Sequence, residues 1–494
     1  MKRLRLKEAA AVIAAVVTAA GCMAGSAEAM EHEFNGLLRI KGDATNFDQA
    51  GGNDTLKAST RKPENMLSQG TTGKSFFFTE QRARLRYTGV LSDDVKIVTQ
   101  FEIDSRWGDT SQSTATTRNV GGAMETDQVN LETKNIYMDF KVPSLPTKVK
   151  AGLLPFNDSY KGVFLSSDIA GAMTTTTLNN LTIGAGWLRG YDNVNFNGAD
   201  STIAAVNATS DSKGTSGFVP GRYSLDLGIL EAKYALSKEL TVGGSYYLTY
   251  SNLEKKGFNI LNTLGVNAAY NFGIGTVDGF FLYQAGDNPT NNFGQVGQKV
   301  SGFAANVAAK VKAGPGTLRT SILYASGDDG QGNVSAFQGV NQLGDGSTTS
   351  TYSAAQMTML ITNTKYAANT DRALINTVSN YNQGVMGAFL GYDIDIDKTF
   401  IKTNLGMAAV AEDNNTFKPK NQAKGDYSNG KYIGTEINAE FGYKITSNLT
   451  ASLVGGYVFL GDYYKDTGRS GTATGAVVTP DNPWKSQVVL NLAF

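Results

Sequence analysis

The chain has 494 residues, with 44 basic and 44 acidic side chains, one cysteine and one histidine. That balance gives nucleic acid no electrostatic reason to bind, one cysteine excludes internal disulfides and Cys-x-x-Cys sites, and one histidine leaves no multi-histidine metal centre and no nucleophile–base pair. No stretch beyond the N-terminal region approaches the ~20 apolar residues that a spanning helix needs, so the choice lies between a soluble β protein and a membrane β-barrel.

Lys2, Arg3, Arg5 and Lys7 precede an apolar run from Ala9 to Ala20, and Ala27-Glu28-Ala29 follows as a small-x-small pattern. This is the order of a secretory signal, with cleavage expected after Ala29. The chain divides into a signal at 1–29 and a mature part at 30–494. Ala19-Ala20-Gly21-Cys22 is similar to a lipoprotein cleavage box, but Ala19 stands where a large aliphatic residue is usual. Cys22 is therefore expected to leave with the signal. Removing four basic and two acidic residues leaves 40 positive and 42 negative charges, a net of −2. His32 falls just past the cleavage point, ahead of a first strand expected near 34–44.

From Phe34 onward residue type alternates with period two, the mark of strands. In Gln81 to Tyr87, Arg82, Arg84 and Arg86 share one face while Ala83, Leu85 and Tyr87 share the other. Val95, Ile97, Phe101 and Ile103 likewise oppose Lys96, Gln100, Glu102 and Asp104. Near the end, Trp484, Val488, Leu490, Leu492 and Phe494 oppose Lys485, Gln487 and Asn491. Many such segments in succession have the length that crosses a bilayer at a tilt, about 9–11 residues or somewhat more.

Tight turns are expected at Ser92-Asp93, Pro143 to Pro146, Asn179-Asn180, Ser237-Lys238, Ile274-Gly275, Gly314-Pro315, Asp397-Lys398 and Ser447-Asn448. These eight hairpins, with one strand at each end, make eighteen strands. The hairpin of 169–178 with 181–194 has the weakest pattern, and without it the count is sixteen. The remaining connections are long and rich in Gly, Asn, Ser, Thr and Asp, including 43–73, 105–128, 195–221, 286–298, 328–382, 413–430 and 463–483. Short turns at one end and long polar loops at the other are the asymmetry of an up-and-down transmembrane barrel. Closing the first strand on the last would leave no sheet edge in lipid, where an unpaired backbone group costs several kcal/mol.

Periodicity alone does not say which face points outward. The signal places the protein beyond the inner membrane, and aromatic residues collect near strand ends at Tyr246, Tyr247 and Tyr250 and at Tyr457, Phe459, Tyr463 and Tyr464, where an interfacial girdle belongs. The mature chain thus resembles the Gram-negative outer-membrane porins, of the general and phosphate-selective class. Three features carry the likeness: the alternating last strand ending in Phe494, the Arg82/Arg84/Arg86 ladder, and Ala151-Gly152-Leu153-Leu154-Pro155-Phe156 followed by Asp158, Tyr160, Gly162 and Ser166-Ser167-Asp168. The last of these is similar to the end of a fifth strand and the start of an inward-folded third loop.

The resemblance implies a water-filled channel for passive diffusion of ions and small hydrophilic solutes, seated in outer-membrane lipid as a homotrimer, without catalytic activity or cofactor. It implies a positive wall of Arg82, Arg84 and Arg86, joined by Arg39 and Lys41, facing Asp158 and Asp168 on the loop. Charge at the narrowest point would then set selectivity. The plainer alternative is that the arginines pair with luminal carboxylates such as Glu102, Asp104 and Asp139.

Other motifs weigh less. Asp393-Ile394-Asp395-Ile396-Asp397 has the spacing of a calcium loop, but Lys398 stands where Gly is needed and Asn404 where a bidentate Glu is needed. It is expected to be a strand end. Gly273, Gly275 and Gly279 open no helix and do not make a nucleotide loop. The segment 328–382 is too long for a plain connector, and it caps the pore, folds inside it or binds a partner. A competing function is a scaffold or sheath around a partner such as an electron-transfer cytochrome, which requires a lumen without an inward constriction.

Overall fold

The structure is a computed structural model that describes residues 30–47, 75–109, 122–124, 131–192, 224–251, 259–290, 296–329, 332–340, 349–362, 365–366, 373–380, 382–412, 430–465 and 481–494. The expected signal at 1–29, and with it Cys22 and Ala29, lies outside them.

Eighteen antiparallel strands form one closed sheet. In chain order they are β1 (Glu31–Thr45), β2 (Phe76–Ser92), β3 (Val95–Arg106), β4 (Leu131–Lys141), β5 (Thr147–Asn157) and β6 (Ser166–Leu178). Then come β7 (Leu181–Asp192), β8 (Ser224–Ala235), β9 (Leu240–Ser251), β10 (Asn259–Asn271), β11 (Gly275–Thr290) and β12 (Val296–Ala313). The last six are β13 (Gly316–Ala325), β14 (Val385–Ile396), β15 (Thr399–Ala409), β16 (Tyr432–Lys444), β17 (Leu449–Leu460) and β18 (Trp484–Ala493). One helical turn, α1 (Asp462–Lys465), sits over the end of β17. All eight expected hairpins form, including β6–β7, so the count is eighteen.

Local chemistry makes the turns. Asn179 and Asp397 take positive φ (50° and 49°), as do Gly273 and Gly314 (85° and 58°); these are the residue types that tolerate the left-handed region. Asp397 is thus a turn residue, and Asp393 pairs with Arg319 at 2.7 Å. The aspartate run is a strand end.

Each strand pairs with its sequence neighbours, and β1 closes on β18 from Leu37↔Ala493 to Thr45↔Lys485. Gly36 and Phe494 exchange both backbone hydrogen bonds, at 2.7 and 3.1 Å. The first strand starts earlier than expected, so His32 belongs to β1, where its Nδ1 lies 2.8 Å from the Tyr87 hydroxyl.

The exterior is apolar. Leu264, Val266, Phe281, Val307, Ile322, Leu390, Leu453 and Val488 are all exposed large hydrophobic residues, while their strand neighbours at alternate positions, such as Thr263, Phe280, Asn306 and Ser321, are buried. A soluble barrel would reverse this, so the outer face is built for lipid. At the end carrying the long connections, an outward-facing row crosses six strands in register. It runs Arg189↔Asp226, Asp226↔Tyr250, Tyr250↔Ile260, Ile260↔Asp287 and Asp287↔Lys299. Its ion pairs, Arg189–Asp226 at 2.8 Å and Lys299–Asp287, put charge on the outer face at this end of the barrel. Three residues expected in an aromatic girdle face the other way: Tyr247 and Tyr464 are buried, and Tyr463 packs against the interior cluster with its hydroxyl donating to Gln383 at 2.6 Å.

Candidate functional site

Described segments of two connections lie against the inner wall. The first is 158–165, between β5 and β6. Asp158 folds it: Oδ1 accepts the N–H groups of Tyr160 and Gly162 (both 2.8 Å) and Oδ2 those of Phe164 and Leu165 (both 2.7 Å). Four donors converging on one carboxylate make a tight inward knuckle. Tyr160 reaches β9, its hydroxyl 2.6 Å from the Ser245 Oγ. It lies so close to Gly265 on β10 that a Cβ there would fall 2.2 Å from the hydroxyl oxygen. Burial pushes the Tyr160 hydroxyl up to about 12. Phe164 stacks on Tyr247 with ring centroids 4.5 Å apart, and Lys161 pairs with Asp278 on β11.

The second is the long connection between β13 and β14, which folds into the lumen. It is sewn to the first by Thr351 N–H to Gly162 O (2.9 Å), Ser353 N–H to Lys161 O (3.1 Å) and Ser166 N–H to Thr349 O (2.7 Å). From there it continues round the wall. Tyr352 packs on Phe389 of β14. The Met357 Sδ sits 2.4 Å from where a Cβ on Gly406 of β15 would be, so glycine is needed there for the chain to approach. A returning segment doubles the band: Leu374 N–H bonds Met359 O (2.7 Å) and Ile375 N–H bonds Leu360 O (3.0 Å).

β16 carries this band on three inward polar residues. Glu436 is fully buried and accepts Thr358 N–H (2.7 Å), Thr358 O–H (2.7 Å), Met359 N–H (2.9 Å) and Leu360 N–H (2.6 Å). Asn438 donates to Gln356 O at 3.3 Å. Glu440 accepts from the Tyr366 hydroxyl at 2.6 Å and pairs with Lys365. Each buried N–H left without an acceptor costs about 1–3 kcal/mol, which is why a band of irregular backbone needs carboxylates on the wall behind it. The far end reaches β1, where Arg39 Nη1 lies 3.4 Å from Lys365 O.

Among the described residues the belt meets the wall from about β6 to β1, and none of its hydrogen bonds crosses to the strip formed by β2–β4. That strip carries the arginine ladder. Arg82 holds Asp104 in a two-pronged pair (2.6 and 2.5 Å) and lies 3.4 Å from Glu102. Arg84 pairs with Glu102. Arg86 is exposed to the lumen and donates to the Tyr137 hydroxyl at 2.9 Å. A bulge in β3–β4 between Gln100 and Phe101 leaves Lys134 unopposed; it reaches Glu102 at 3.5 Å and Asp168 at 3.1 Å.

The expected site residues thus have different surroundings. Arg39 and Lys41 are buried, with Lys41 bridging Asp43 (3.2 Å) and Glu80 (3.3 Å). Asp158 lies in the expected loop, but its carboxylate is spent on the loop's own backbone. Asp168 is corrected: it lies on β6, opposite Pro155, because the loop ends at Leu165. Asp139 stands opposite Lys96 and Lys150 instead of an arginine. The wall is a mixed ladder of paired charges in which Arg84, Arg86 and Lys134 keep part of their surface open. Lys134, Glu436 and Glu440 were not singled out from sequence. Alternation alone places Glu436 and Glu440 on the polar face, but no sequence signal says that a loop covers them.

No protein-family model and no curated sequence matches the chain. Among solved structures it is similar to Acinetobacter baumannii OccAB4, with 11% identity over 94% of this chain and 98% of that one and a TM-score of 0.50. For Pseudomonas aeruginosa OpdL the values are 14% identity, 94% and 99% coverage and a TM-score of 0.49. At these identities the likeness is one of fold, and the fold is the 18-stranded barrel of the outer-membrane porins.

Proposed function

We propose that the protein is an outer-membrane channel through which ions and small hydrophilic solutes diffuse passively, and that the slow point is the gap between the luminal belt and the charged strip on β2–β4. The observation that carries this reading is the course of the belt, whose described residues follow the inner wall from about β6 to β1 and make no hydrogen bond to the charged ladder on β2–β4. A solute crossing the lumen passes between neutral belt backbone on one side and paired but partly open charges on the other. Arg84, Arg86 and Lys134 offer donors there, and Glu102 and Asp104 lower the net charge, so the ladder orients polar solutes more than it attracts a single sign. A sheath around a partner protein is not favoured, because the belt occupies the space such a partner needs. The homotrimer implied by resemblance belongs to this proposal as well, and the mass of the detergent-solubilised protein tests it.

The test is conductance of the refolded protein in a planar lipid bilayer. Stepwise, ohmic current increments are expected. A folded, heat-modifiable barrel that carries no current would remove the diffusion reading.

A further inference from the structure

We infer that Glu436 is the positioning residue that sets the width of the pore, acting through the belt without meeting the solute; this rests on the channel reading above. Glu436 is wholly buried, and its two oxygens take every donor offered by the turn of the belt at 358–360, three backbone N–H groups and one hydroxyl, all between 2.6 and 2.9 Å. A fifth donor, Asn438 Nδ2 at 2.8 Å, orients the carboxylate from its own strand. All five partners are donors, so the site asks for an acceptor on both oxygens. An amide cannot supply this, since its NH₂ group would meet N–H groups head on.

The placement gives the residue its reach. Residues 358–360 carry the returning segment of the belt through Leu374 N–H to Met359 O and Ile375 N–H to Leu360 O, so the carboxylate anchors both layers at this point. The neighbouring contacts are of another kind. Met357 fills the hollow over Gly406, and Thr358 Oγ1 lies 2.4 Å from where a Cβ on Gly456 would be. These contacts fix how near the belt can come to the wall, whereas Glu436 holds it there. Loss of the carboxylate lets the layer move off β16 towards the charged strip or out of the lumen, and in either case the gap changes while the barrel wall keeps its ladder.

The experiment compares wild type, Glu436→Gln, Glu436→Asp and Thr358→Val in planar bilayers, reading single-channel conductance, current noise and reversal potential in a potassium chloride gradient. Glu436→Gln is expected to change conductance by roughly twofold and to add open-channel noise. Glu436→Asp, which keeps the charge but is one methylene short, should lie between it and wild type, and Thr358→Val, which removes one of the donors, should shift conductance in the same sense by less. Unchanged conductance and noise in Glu436→Gln or in Glu436→Asp would overturn the inference while leaving the channel reading intact. If Glu436→Gln does not refold, Glu436→Asp and Thr358→Val decide alone. Absence of current in wild type itself strikes the channel reading instead.

Discussion

Arg39 on β1 and Arg82 on β2 stand directly opposite each other across the strand pair, two like charges on one face where cross-strand repulsion is expected. The barrel tolerates them because each is turned to a different partner. Arg82 is held by Asp104 at 2.5–2.6 Å on the next strand, and Arg39 is turned to the carbonyl of Lys365 on the belt.

Arg82→Ala therefore leaves Asp104 uncompensated on a partly buried wall, while Glu102 keeps Arg84 and Lys134. Breaking such a pair costs about 3–5 kcal/mol when one partner is removed, so the heat-modifiable transition should move to lower temperature. The reversal potential in a salt gradient should shift towards cations. Removing both partners, as Arg82→Met with Asp104→Leu, should recover most of the stability and show less cation shift than Arg82→Ala.

Asp158→Ala deprives four buried N–H groups of their acceptor, at a cost of about 2–5 kcal/mol once water re-enters part of the loop. The barrel itself does not depend on those bonds. The expected result is a protein that still shifts on heating in gel electrophoresis, with increased protease sensitivity near 158–165. Cleavage resistance equal to wild type would count against the carboxylate as the organiser of the knuckle.

Gly406→Val places side-chain atoms where Met357 now sits. Overpacking of this kind costs about 1–3 kcal/mol, and here the belt yields before the hydrogen-bonded wall. Conductance should change with little effect on the melting of the barrel, and Met357→Ala in the same chain should restore it.

Secretion of the full chain should yield a mature protein beginning at Met30. N-terminal sequencing checks this, and a start at Cys22 carrying lipid would instead identify an anchored form.

The barrel was legible because strand chemistry is local. Alternation, tight turns at Asn179, Asp397 and Gly314, and the outward placement of Leu264 or Ile322 all depend on residues a few positions apart. The lumen was less so. Arg82 and Arg84 were recognised by spacing, but their pairing with Asp104 and Glu102 depends on register between β2 and β3. Asp158 was recognised as a loop acid, yet its burial depends on the loop closing upon it. The function of Glu436 depends on a connection that meets it from 76–78 residues away, and nothing in the local pattern of β16 carries that information.

The closure of β1 on β18 has a consequence for assembly. The first strand to emerge during synthesis finds its second neighbour in the final eleven residues, since Leu37 pairs with Ala493 and Gly36 with Phe494. Until those residues arrive, the sheet is an open ribbon with two exposed edges, unable to rest in hydrocarbon. Cylinder and membrane residence thus come into being in one event, and a chain cut before Trp484 cannot settle as a smaller version of the same object.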